Sequence, residues 1–210
     1  MKKHFELIET DFIHLSQTVT LKRIRATVDS PVFSIRAGDI GGYVQSLSNL
    51  EGNAWVYGDA RVYGNAQVYG DAQVYGDARV SGNAWIYGNA WVSGDAQVYG
   101  DARVSGNAQV SGNAWVSGNA QVSGNARVYA AGLVFTASNV GTENGTLTVH
   151  NSKEDSILVT RGCFLGTVEE FFAASRTKHD EQTQLEYLML IEVATMRINK
   201  VRKLIKEVLK

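Results

Sequence analysis

The sequence predicts a mainly β protein built around a parallel β-helix, and three observations carry that prediction. Thirteen consecutive copies of a six-residue unit run from Asn53 to Tyr129, reading Asn or Asp, Ala, a variable residue, Val or Ile, Tyr or Ser, and Gly, with Ala130 replacing the last Gly. Residues alternate within a unit: in Asn53-Ala54-Trp55-Val56-Tyr57-Gly58 an extended chain puts Ala54 and Val56 on one face and Asn53, Trp55 and Tyr57 on the other. Each unit closes on Gly followed by Asn or Asp, the residues that best tolerate positive φ, so every unit ends in a corner. A single unit cannot bury its two small apolar residues alone, whereas stacked coils can.

The remaining elements follow in chain order. Residues 1–50 lack the repeat and are expected to cap the first coil, with Thr18 to Val28 alternating like a half-exposed strand. A cap is required physically, because an open coil end leaves backbone groups unpaired and invites end-to-end polymerisation. The glycines of Ala37-Gly38-Asp39-Ile40-Gly41-Gly42-Tyr43-Val44 lack the Gly-Lys-Ser/Thr ending and following helix of a phosphate loop. Residues 51–135 form the repeat domain, and 136–166 an irregular terminal segment with a strand at Thr146 to His150. Residues 167–210 are helical: Thr167-Val168-Glu169-Glu170 has the form of a capping box, and a longer helix is expected from about Glu181 to near the end. In that helix Ile191, Ala194, Ile198, Val201, Ile205 and Val208 alternate spacings of three and four, a heptad seam that either packs on the chain's own solenoid or joins subunits.

The repeat resembles the hexapeptide-repeat family, on Val56, Val62, Val68, Val74, Val80, Ile86, Val92, Val98, Val104, Val110, Val116, Val122 and Val128 with the Ala two residues earlier in each unit. That resemblance implies a left-handed, triangular β-helix with three units per coil, so thirteen units make between four and five coils, roughly 20 Å of stack at ~4.8 Å per coil. The wider layout resembles a group of phage, prophage and bacterial proteins that join a cap to such repeats and a helical end. The residues carrying this are Ala37 to Val44, the repeats, and Gly162-Cys163-Phe164-Leu165-Gly166-Thr167-Val168-Glu169-Glu170-Phe171. What it implies is an oligomeric, phage-associated accessory protein in the host cytoplasm, with no catalytic residues to carry over.

Composition agrees with a cytoplasmic protein and narrows the chemistry. The net charge of -1 gives no bulk attraction to nucleic acid, and Cys163, the single cysteine, allows no internal disulfide. Met1-Lys2-Lys3 is followed at once by Glu6, Glu9 and Asp11, and no apolar run reaches membrane-spanning length. Hexapeptide acyltransferases use a histidine base, but the repeats contain none. Of His4, His14, His150 and His179 only His150 lies near a coil end, which leaves acyl transfer as the alternative function. Eighteen-residue spacing stacks Asp59, Asp77 and Asp95 on one flank, where Arg61 and Arg79 offer a simpler neutralisation than a cation. No metal or cofactor is expected.

The outward rows carry the binding signal. The variable position holds four Trp, four Arg and five Gln, and the repeats hold no Lys. Rings and guanidinium groups of this density suit an interface, although stacking between rungs also accounts for them. Trp55, Arg61, Tyr63, Arg79, Trp85 and Trp91 are the expected ligand residues, with rings stacking on a base and guanidinium groups pairing phosphate. The reading is a non-enzymatic homo-oligomer, with a trimer favoured, that sequesters or blocks a host-defence protein or nucleotide signal; a purely structural solenoid is the other alternative. Six cations from Arg197 to Lys210 against Glu207 leave nucleic acid or an anionic membrane as a lesser partner.

Overall fold

The computed structural model describes residues 4–208, so Met1-Lys2-Lys3 and Leu209-Lys210 lie outside the described residues. The repeats form a parallel β-solenoid of about five turns: each unit supplies a two-residue strand, from β4 (Trp55–Val56) to β16 (Arg127–Val128). Partners are one coil apart, as in Trp55↔Gln73 and Arg61↔Arg79, so three units complete a turn and three flat sheets wrap one core. That core is the inward Ala and Val or Ile pair of every unit, essentially inaccessible from Ala54 to Val128. At Gly82 the corner has φ +69°, and a Cβ there would lie 2.9 Å from the Gly100 backbone nitrogen of the next coil. Both the backbone conformation and the coil spacing therefore demand glycine.

The first coil begins within the residues assigned to the cap. β3 (Ile40–Val44) pairs in parallel with the Arg61–Val62 strand through Tyr43↔Arg61 and Val44↔Val62, and Leu50 bridges Val68 in the same sense. Gly41 and Gly42 are thus packing residues: a Cβ on Gly42 would meet the Ala60 carbonyl at 2.6 Å, and one on Gly41 would meet Ile24 at 2.5 Å. Above them, β1 (Phe5–His14) and β2 (Thr20–Ala26) add an antiparallel hairpin. The alternation of Thr18 to Val28 locates β2, whereas β1 is revealed only by its pairing. Arg23 fastens this cap, donating to the carbonyls of Gly41 and Gly58, to Tyr43 Oη and to Asp59 Oδ1 at 2.9 to 3.1 Å. Its Nε also lies 3.0 Å from the Asp11 carboxylate, close enough for an ion pair though not aligned for a hydrogen bond. Asp59 is therefore held by Arg23, in place of the expected Arg61.

At the other end the expected irregular segment is an antiparallel sheet of β17 (Val134–Val140), β18 (Gly145–Asn151), β19 (Ile157–Arg161) and β20 (Phe164–Thr167). It covers the last coil with side chains that satisfy the open backbone edge: Gln121 N donates to Thr148 Oγ1, Thr160 Oγ1 donates to Gln121 O, and Asn151 Nδ2 donates to Arg127 O at 2.7 to 3.0 Å. The sheet is a meander of consecutive hairpins, and the strand expected at Thr146 to His150 is its β18.

Thr167 opens α1 (Val168–Lys178) with the predicted reciprocal capping bonds to Glu170. The long α2 (Glu181–Val208) lies against β17 and β18. Arg202 anchors its far end, donating from Nε to Asn151 Oδ1 at 2.7 Å and from Nη2 to Ser156 O at 2.8 Å. Among the described residues no helix is long and apolar enough to cross a membrane.

Candidate functional site

The six expected ligand residues do not converge. Arg61 and Arg79 sit side by side on one face of the prism, Trp55 and Trp91 lie on a second with Gln73 between them, and Trp85 lies on the third. Tyr63 follows the Arg61–Val62 strand at a corner. Trp55 is only 2% exposed, its ring beside those of His4 and Tyr57, and His4 Nε2 sits 3.0 Å from the Ala54 carbonyl. It belongs to the packing beneath the N-terminal cap. Trp91 is exposed and meets the edge of Tyr75.

Trp85 is the exception, because its face ends under an overhang. Along this face the column reads Gln67, Trp85, Arg103 and Gln121. Tyr69 and Tyr87 stack at the adjoining corner, with centroids 5.1 Å apart and planes 4° from parallel. Tyr69 also meets Trp85 edge-on, and the Arg103 guanidinium lies 5.4 Å over the Trp85 ring. Burial pushes the Tyr69 hydroxyl pKa upward, with Tyr87 adding to the rise and Arg103 opposing it, so this phenol stays a neutral donor at ordinary pH. The turn between β19 and β20 then projects over the lower end. It borders an open groove of about 440 Å³ lined by Tyr87, Arg103, Ser105, Ser123, Cys163 and Phe164.

This groove combines stacking surface, a guanidinium lying over the Trp85 ring and neutral hydroxyls, the components that hold a planar ring bearing an anionic group. Sequence reading found Trp85 but missed Arg103 and Phe164, since only the fold of the terminal sheet brings residue 164 beside residue 103. The row of Ser at the unit's fifth position, which replaces Tyr from Ser105 to Ser123, was the available sign of open space there.

Other candidate residues have structural roles. His150 is fully buried in β18, its Nε2 has no hydrogen-bond partner, and burial lowers its pKa to about 4. No acceptor substrate reaches it, which removes the base that the acyltransferase alternative relied on. Corner residues form side-chain ladders, Asn53 to Asp71, Asn65 to Asn83 and Asn83 to Asp101, at 2.9 to 3.1 Å. Among the described residues no group of three or more His, Cys, Asp or Glu could hold a metal ion.

In α2, Ile191, Ala194 and Ile198 are buried within the chain, Val201 and Ile205 are half-buried, and Val208 is exposed. The seam therefore packs largely on the chain's own terminal sheet. Of the basic residues, Arg202 is anchored as above, Arg197 lies over Phe135, Lys203 is within 4.0 Å of Glu207 and Lys206 is 3.3 Å from Asp155. Most of that charge is engaged within the molecule.

Coils, inward pairs and capped ends together define a repeat β-helix protein with a ligand-sized groove at its C-terminal end. The matched segments, residues 52–71, 72–88, 96–110, 108–121 and 120–134, are similar to the YdcK beta solenoid repeat. No curated protein matches the chain.

Proposed function

We propose that this is a non-catalytic binding protein that holds a planar, anionic ligand of nucleotide type in the groove lined by Tyr87, Arg103 and Phe164, with Trp85 supporting Arg103 from beside it. The observation that carries the reading is the Arg103–Trp85–Tyr69–Tyr87 cluster ending under the β19–β20 overhang. The lining offers a guanidinium, a phenol, hydroxyls, an amide and the Cys163 thiol, groups that suit holding an anionic ring. The resemblance to phage proteins supports the biological role: sequestering a nucleotide signal of host defence in the host cytoplasm. A defence protein docking on the same aromatic face is the variant of this reading. Titration with AMP and with cyclic dinucleotides, followed by Trp fluorescence and native mass spectrometry, tests it. Tyr87→Ala and Arg103→Ala should stay folded and lose binding by about tenfold or more, as expected for a lost stacking or charge-assisted contact. Full binding in both variants would refute the assignment.

The oligomer belongs to the same proposal. Opposite its buried side, α2 presents Leu185, Met189, Val193 and Met196, between 42% and 66% exposed, a stripe that a soluble helix does not leave bare. Along the helix Glu181, Glu186 and Glu192 precede Lys200 and Lys203. Two antiparallel copies set acid against base and Met189 against Met196, whereas the parallel bundle of a trimer would align like charges. A two-fold dimer is therefore favoured over the trimer. Light scattering on Met189→Glu with Val193→Glu should give half the mass of the parent; equal masses would refute the interface.

A further inference from the structure

A second cavity, about 170 Å³, lies on the other side of the β19–β20 turn, between the terminal sheet and the two helices. Arg161 leads into it. The guanidinium is held in place, Nε donating to Tyr187 Oη and Nη2 to the Val140 carbonyl, each at 3.2 Å, over a Gly145 whose missing side chain leaves it room. Its side chain is only 12% exposed, yet its counter-charge is Glu143, 79% exposed and 3.7 Å away. These contacts leave guanidinium N–H donors on Nη1 and Nη2 unused.

Two further groups on the lining lack partners. Ser175 is 3% exposed and its hydroxyl makes no hydrogen bond, and His179 Nδ1 is buried without one. Buried polar atoms are nearly always bonded, so two orphans around one cavity beside an under-compensated guanidinium indicate a missing acceptor. Lys178 adds a second cation at the mouth, and the Gln184 amide already caps the His179 carbonyl at 2.8 Å. The rest of the wall is apolar: Phe164, Phe171 and Ala174.

We propose that this cavity binds a small organic carboxylate, its charged group set among Arg161, Ser175 Oγ and His179 and its apolar body against Phe164, Phe171 and Ala174. The space is below the ~300 Å³ of drug-sized sites, which restricts the ligand to a single ring or a short chain. The cavity shares Gly162, Cys163 and Phe164 with the nucleotide groove across the β19–β20 turn, but Arg161, Ser175 and His179 belong to it alone, and the proposal does not depend on the groove.

Cys163 borders the cavity and is the only thiol in the chain, so its alkylation reports occupancy. Benzoate is the probe and benzylamine, of similar shape and opposite charge, the control. Benzoate should slow iodoacetamide labelling of Cys163 saturably and raise the melting temperature, and benzylamine should do neither. Ser175→Ala, which removes an unbonded hydroxyl without disturbing packing, should raise the half-protecting benzoate concentration by about tenfold, the loss expected for a hydrogen bond to a charged group. Ala174→Trp should fill the cavity and abolish protection, whereas Arg103→Ala, which alters the adjoining groove that Cys163 also borders, should leave it intact. Absence of saturable protection, equal protection by benzylamine, or a Ser175→Ala curve matching the parent would overturn the proposal.

Discussion

Replacing His150 with Leu should change how stability depends on pH far more than it changes stability itself. The imidazole is fully buried, and its folded pKa falls from 6.5 to about 4 because burial disfavours the charged ring. As pH drops through 6.5 the unfolded chain takes up a proton that the folded chain refuses until about pH 4, so the fold loses stability throughout that window and no further below it. The difference between those two values corresponds to about 3 kcal/mol, a large share of the ~5–15 kcal/mol typical of a folded domain. Leu carries no such penalty; Nε2 has no partner to lose, and the only bond given up is the long one from Nδ1 to the Asn151 carbonyl at 3.4 Å. Urea denaturation of both proteins from pH 7.5 to pH 4 isolates the effect as a difference, because the carboxylates that titrate in this range are common to the two. The variant should match the parent at pH 7.5 within about 1 kcal/mol and exceed it progressively down to pH 4. Parallel stability curves, or an imidazole NMR titration near 6.5 in the folded parent, would refute the reasoning.

Gly82→Ala should destabilise by about 1–3 kcal/mol in thermal or urea unfolding, combining a left-handed backbone with a collision against the next coil. Arg202→Ala removes the bonds to Asn151 and Ser156 and should cost about 1–3 kcal/mol, seen by hydrogen exchange as faster opening of the last turns of α2. Arg23→Met should loosen the N-terminal hairpin, raising protease sensitivity around residues 15–19 before the solenoid unfolds, because it frees the carbonyls of Gly41 and Gly58 and the carboxylate of Asp59 together.

The solenoid was legible because its information is local and repeated: a six-residue period with two inward apolar positions and a corner glycine allows little else, and each unit reads the same way. The start of α1 was equally plain, since a capping box involves residues three apart. By contrast, the glycine pair at Gly41 and Gly42 looked like loop chemistry and proved to be the close approach of two backbones, visible only when Ala60 stands beside it. The binding groove was half legible. Trp85 was identifiable as an outward ring, but the groove itself lies one coil on, at Arg103, and is shared with Phe164, which comes from the distant terminal sheet.

By itself, then, the amino-acid order determined the coil, its core and the existence of capped ends and two helices. Tertiary structure decided which outward residues remain available and which side of α2 is free. His4 covers the strand of Trp55 across 50 residues, and Arg202 ties α2 to Asn151 across 51. Such pairings depend on where distant segments come to rest against one another. A short-range pattern specifies how each segment folds and carries no record of its neighbour.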